Sequence, residues 1–261
     1  MSGQTFIVDF WRTGIHREEF GIRQKEFLMS KSRQFTRDLD LCGRLKRGSE
    51  EIGYIGYRRG VWDLKEAGRL DKQRLVIKAF SNSFSWMGSI EEVVNRTVSK
   101  SIGVGEVMPV FAAVLPDNKL VYNIERVYRG PLRTVTYVFS FIDEKSKTFQ
   151  PVKIVGKRVS LGADFDVFYG ADEQRIGRID GKIADLGGRF EVKILDETLV
   201  RNEELMRVLL LFTSTLKFHS ELEERVKRLL EAMRKGDLIP EVQSEELGLL
   251  VNPRVLRSAV F

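Results

Sequence analysis

The chain has 261 residues, 43% of them hydrophobic, which suffices for one large core or two modest ones and excludes general disorder. Its greasiest run, Val208 to Phe212, lies between Arg207 and Lys217, short of the roughly 20 apolar residues of a spanning helix, so no transmembrane segment is expected. The formal charge of +6 hints at an anionic partner, but 43 basic residues are largely matched by 37 acidic ones, and a solvated mixed-charge surface accounts for most of it.

At the N-terminus, Asp9 and Arg12 interrupt what a secretory signal would keep apolar. Cys42 is the single cysteine, so no intramolecular disulfide can form, and a cytoplasmic location is the expectation. His16 and His219 are the only histidines, which excludes a Cys/His zinc cluster.

The stretch "DLDLCGRLKRGSEEIGYIGYRRG" from Asp38 reads as a hairpin and echoes "DFDVFYGADEQRIGRIDGK" from Asp164. Leu39-Asp40-Leu41 falls over Phe165-Asp166-Val167, and Ile52-Gly53-x-Ile55 over Ile176-Gly177-x-Ile179, which suggests a duplicated half-domain. Arg44, Lys46 and Arg47, with Arg58 and Arg59, are expected on neighbouring turns of this hairpin. Arginine forks and lysine point charges could hold phosphates there, and Tyr54, Tyr57 and Trp62 suit an interface. The plainer reading is a charged hairpin in solvent.

The stretch from Ser89 to about Gly103 breaks the β pattern. Ser89 with Glu92 forms a capping-box pattern and Gly103 a stop, which predicts a helical insertion around 89–102. "GVGEVM" from Gly103 lacks the third glycine of a dinucleotide fingerprint, so no nucleotide site is read there. From Gly105 onward, strand and turn alternate. "PVFAAVL" and "KLVYNIERV" flank a Pro-Asp-Asn turn, and "RTVTYVFSFI" places Val135, Tyr137, Phe139 and Phe141 on one face before "FQPVKIV" returns.

"GKRVSLGADFDV" at Gly156–Val167 recurs as "GKIADLGGRFEV" at Gly181–Val192. The unit reads as a strand, a turn, a return strand and a corner, with Gly162 and Gly187 setting the bends and Phe165 and Phe190 pointing inward. Asp164, Asp166 and Asp172 are weak candidates for a cation, since calcium takes several carboxylate oxygens, but their spacing does not give the calcium-loop pattern.

"RNEELMRVLLLFTSTLKFHS" begins with an Asn202 cap and acidic Glu203 and Glu204, and is apolar nearly all round, so a helix over 203–218 must be enclosed. His219 at its end is expected to cap carbonyls or meet solvent. A capping box of Ser220 with Glu223 then opens an amphipathic helix closed by Gly236, whose stripe of Leu222, Val226, Leu229, Leu230 and Met233 packs on its own sheet or, through 221–235, on a second copy. The apolar end after Ile239 has no period and is expected to lie along the surface.

The order of these parts resembles the LURP-one-related proteins of the tubby C-terminal-like superfamily, which includes phospholipid scramblase-like proteins. The resemblance is clearest over about Pro109 to Phe218, and the phrase is carried by Leu161-Gly162, Phe165, Asp166, Gly170 to Asp172 and Gly181-Lys182. It implies a mainly β fold: a closed antiparallel barrel of about twelve strands in two similar halves around a central hydrophobic helix. The expected organisation is a barrel over 1–219 with its helix at 203–218, then a helix and tail over 220–261. The residues after the central helix, and those near 61–103, depart from the family pattern.

No constellation demands catalysis and no cofactor is implied. The expected function is non-enzymatic binding or regulation, through acidic phospholipid headgroups at a membrane face or through a protein partner. The alternative is nucleic-acid binding through the basic hairpin.

Overall fold

The computed structural model describes residues 3–11, 32–63, 70–116, 121–128, 130, 134–142, 147–157, 164–182, 188–244 and 246–247. Twelve strands form the wall: β1 Gln4–Phe10, β2 Leu39–Arg47, β3 Glu50–Arg58, β4 Val76–Ser81, β5 Trp86–Glu92, β6 Val110–Val114, β7 Val121–Val127, β8 Thr136–Ile142, β9 Phe149–Gly156, β10 Phe165–Tyr169, β11 Gln174–Lys182 and β12 Arg189–Ile194. Each pairs antiparallel with its neighbour in sequence, and β1 meets β12 with Val8 opposite Phe190, so the barrel closes. Closure leaves no unpaired sheet edge to recruit another chain.

Side-chain alternation decides which face of each strand is inward. Tyr137, Phe139 and Phe141 of β8 are buried inside, as are Phe190, Val192 and Ile194 of β12, while Arg189, Glu191 and Lys193 take the outer positions between them. Phe165 of β10 points inward, as the repeated phrase leads one to expect, and meets Phe212 of the central helix edge-on at 6.4 Å. Phe190 packs edge-on against Phe10 at 6.2 Å. The Leu-Gly corners at 161–162 and 186–187 lie outside the described residues.

The helices added to this wall include α1 Arg59–Trp62, α2 Val94–Val104, α3 Glu197–Val200, α4 Glu203–Thr215 and α5 His219–Lys235. Helix α4 fills the barrel, with Leu205, Met206, Val208 to Phe212 and Leu216 all in the main core. Asn202 caps it, its side chain accepting from the Leu205 amide at 3.0 Å. Its last turn carries three buried hydroxyls. Thr213 and Ser214 donate to the carbonyls of Leu209 and Leu210, each at 2.8 Å, and Thr215 to that of Phe212 at 2.7 Å, so no polar group enters the core unpaired there.

Several sequence expectations are corrected. The helix expected near 89–102 lies at Val94–Val104, and the residues before it, in β4 and β5, belong to the wall. Alternation is hidden in "VIKAF" because every one of those residues is buried, the outer face of Phe80 being covered by Phe35 and Leu39. Ser89 and Glu92 belong to β5, and α2 begins at Val94 with no side-chain cap from Val93. Likewise α5 begins at His219 without a Ser220 cap, because a 3-10 turn over Leu216–Phe218 leads straight into it. It ends, as expected, at Gly236, with φ of 77°.

The stripe of α5 is used within the chain: Leu222 and Val226 join the main core and Leu229 packs on Val94 and Val98 of α2. That leaves no apolar stripe on 221–235 for a second copy. The echo between the two hairpins is local. Halves related by duplication would be six strands apart in a twelve-strand ring, whereas β10–β11 follows β2–β3 by eight.

Candidate functional site

The basic residues singled out in the sequence lie on one hairpin but at its two ends. Arg47 faces Glu50 beside the turn, whereas Leu39 faces Arg58 at the far end, about 25 Å away at the rise of a strand. They therefore do not form one cluster. Arg58 donates to Asp38 at 2.8 Å, and Arg59 lies 3.6 Å from Asp40 and 3.3 Å from Asp63. Burial would raise the Asp38 carboxyl, but Thr36 and Arg58 outweigh it and hold it below the usual carboxylate range. Tyr57 points inward, its hydroxyl pushed up to about 12 by burial and by Asp63. Arg58 and Arg59 thus brace the hairpin end against α1 and the residues before β2.

Arg44 and Lys46 join a larger outer surface, whereas Arg47, opposite the core residue Phe6, lies on the inward side at the strand end. Lys46 pairs with Asp9 at 2.8 Å, Arg44 lies 3.4 Å from Glu51 and over the Trp11 ring at 5.5 Å, and Arg47 lies over the Phe6 ring at 5.5 Å. Next to them, across β1, the outer face of β12 presents Arg189, Glu191 and Lys193, and β11 presents Arg178 and Asp180. Lys193 lies 3.7 Å from Asp180 and 3.4 Å from Glu191, and Arg178 is hydrogen-bonded to Asp180. One further strand along, Asp166 takes Arg175 at 2.7 Å and Lys157 at 3.8 Å. A register shift in the β10–β11 pairing, after Val167, keeps Arg175 opposite Phe168 and Arg178 opposite Asp166, so both arginines stay on the outer face.

On their outer face the four adjacent strands β11, β12, β1 and β2 place Arg44, Lys46, Arg175, Arg178, Arg189 and Lys193 against Asp9, Asp180 and Glu191 among the described residues. That face of the barrel is therefore net basic. The sequence reading missed its β11 and β12 half, although the R-x-E-x-K spacing of "RFEVK" puts three charges on one face of a strand.

The candidate cation ligands are not brought together. Asp166 is held by Arg175 and Lys157, the Asp164 side chain accepts from the Gly181 amide at 3.1 Å, and Asp172 is exposed in the turn that follows β10. Among the described residues no group of three His, Cys, Asp or Glu side chains is placed to hold a metal.

At the end of the barrel where α4 emerges, His219 is enclosed rather than solvent-facing. Its Nε2 is hydrogen-bonded to the buried Tyr137 hydroxyl, and burial lowers its tendency to take a proton, with Glu223 opposing and Arg126 reinforcing that effect. Arg126 donates to Glu223 at 3.0 Å and to the Val107 carbonyl at 2.9 Å. These two residues form the floor of a cleft of about 390 Å³ whose sides include Glu106, Lys227, Leu230 and Arg234. Its charges are balanced, in contrast to the wall. His16 lies outside the described residues.

No family model matches the chain, and no curated protein or solved structure does so either. Among the described residues no helix is long and apolar enough to cross a membrane.

Proposed function

We propose that this chain is a non-enzymatic binding protein that docks on acidic phospholipid headgroups with the outer wall of β11, β12, β1 and β2. The observation that carries this is the charge of that wall's outer face, where Arg44, Lys46, Arg175, Arg178, Arg189 and Lys193 stand against Asp9, Asp180 and Glu191. Helix α4 fills the barrel interior, so recognition falls to the outside. The resemblance to LURP-one-related proteins supports the same reading, since the closed barrel around a hydrophobic helix is the architecture it implies. Paired cations remain useful at such a surface. Their carboxylate partners hold them in position, and the net charge of the wall sets the long-range attraction, about 1 kcal/mol per basic residue near an anionic leaflet.

The test is sedimentation with vesicles of phosphatidylcholine alone or with added phosphatidylserine. Retention is expected only on the acidic vesicles and is expected to fall as salt rises. No retention at low salt would sink the proposal. Stronger retention on duplex or single-stranded nucleic acid than on vesicles would replace it with the nucleic-acid reading.

A further inference from the structure

Helix α2 receives its N-terminal cap from the other end of the chain. Its own flanking residue, Val93, offers no side chain to the first amides. Instead Glu246 Oε1 accepts from the Asn95 amide at 2.8 Å, and the Glu246 residue is 1% exposed. The segment that delivers it leaves α5 at Gly236 and is fastened at two further points. Leu238 packs among Leu70, Val94, Val98, Leu229 and Met233, and Gln243 Nε2 donates to the Asp71 carbonyl at 2.8 Å. Between the anchors the segment faces solvent: Ile239 is 86% exposed and Val242 48%.

We propose that the groove between α2 and α5 is a docking site for a linear protein segment, and that the chain's own residues 237–247 occupy it in cis. The recognition chemistry is read from the occupant. An apolar side chain fills the pocket between the helices, an amide five residues on meets a backbone carbonyl, and a carboxylate three residues further caps α2. Burial raises the Glu246 carboxyl on balance, with Glu92 adding to that, while the Asn95 amide at the helix N-terminus and Arg74, itself 1% exposed, draw it back down. Among the described residues three side chains hold the segment, and none of them belongs to a wall strand, so it can open without disturbing the twelve-strand wall. A partner segment with the same three groups competes with it, and the short link to α5 gives the cis segment an effective concentration on the order of millimolar. Occupation by the tail is thus an autoinhibited state.

The experiment uses the full chain and a fluorescent peptide of residues 237–247. In the double variant Leu238→Ala with Glu246→Ala, the groove is intact but its own occupant has lost two anchors. Peptide anisotropy is expected to show binding at least ten-fold tighter to this variant than to the unaltered chain. A peptide with alanine in place of its final glutamate is expected to bind the variant at least ten-fold more weakly. Equal binding to both chains, or none to a variant that retains the circular dichroism of the unaltered protein, overturns the proposal. Hydrogen exchange on the unaltered chain supplies a second reading that needs no variant. The amides of Asn95, Leu238, Gln243, Glu246 and Leu247 are expected to exchange together and well before those of β8, and protection as long-lived as that of β8 overturns the proposal equally.

Discussion

Arg225 of α5 is hydrogen-bonded to Glu92 at the end of β5, and neither reaches solvent, their side chains being 1% and 0% exposed. The Leu75 amide donates to the other Glu92 oxygen at 3.3 Å, and Arg74, 3.4 Å from Glu91, adds a second guanidinium nearby. Burial pushes the Glu92 carboxyl up while Arg225 draws it down. Two residues 133 positions apart therefore lock α5 onto the barrel.

Removing one partner leaves the other buried and uncompensated. Glu92→Ala or Arg225→Ala is expected to cost about 3–5 kcal/mol, whereas replacing both by leucine and methionine costs far less, because the desolvation of two charges is relieved together. Urea titration of the two single variants and the double one checks this. Equal losses in all three would show that packing, not charge, holds α5.

His219 gives the stability a definite pH dependence. Its ring titrates below the ordinary 6.5 because burial disfavours the imidazolium, so the unfolded chain binds the proton more readily than the folded one. Stability is then full above pH about 6.5 and falls as pH drops from there towards the lowered folded value, by at most about 1.4 kcal/mol per pH unit. The groups facing the ring are Tyr137 of β8, Arg126 of β7 and Glu223 of α5. Thermal melts between pH 7 and pH 5 should show this slope in the unaltered chain and lose it in His219→Gln. A slope that survives the substitution assigns it elsewhere.

Two glycines are expected to respond in opposite ways. A Cβ on Gly53 would lie 2.0 Å from the Phe80 carbonyl oxygen, so Gly53→Ala must push β3 from β4 at a cost on the order of 2 kcal/mol or more. Gly48, in the β2–β3 turn with φ of 60°, has nothing within 4 Å of such an atom. Asparagine tolerates that conformation, and Gly48→Asn should change the urea midpoint little.

The vesicle assay separates the two ends of the basic hairpin. Combined substitution of Arg44, Arg189 and Lys193 by alanine is expected to weaken retention on acidic vesicles at least ten-fold and to flatten its dependence on salt. Arg58→Ala with Arg59→Ala, which removes cations committed to Asp38, Asp40 and Asp63, should leave retention within two-fold. The reverse ranking would return the site to the far end of the hairpin.

What the sequence by itself determined was a run of alternating strands and a helix that must be enclosed; the closed barrel was what the resemblance to LURP-one-related proteins implied. Alternation in "TYVFSFI" and "RFEVKI" set inward and outward faces, and a helix apolar on every side had nowhere to go but inside. It failed where burial on both faces erased the alternation, as in β4, and where capping patterns fell inside a strand, as at Ser89. Only tertiary structure decided the rest. Local sequence rules see neighbours a few residues away, whereas the charged wall arises from closure of β1 onto β12, the Arg225–Glu92 lock from the return of α5, and the cap on α2 from a glutamate 151 residues distant. Each joins groups that the chain keeps far apart until the barrel has closed around α4.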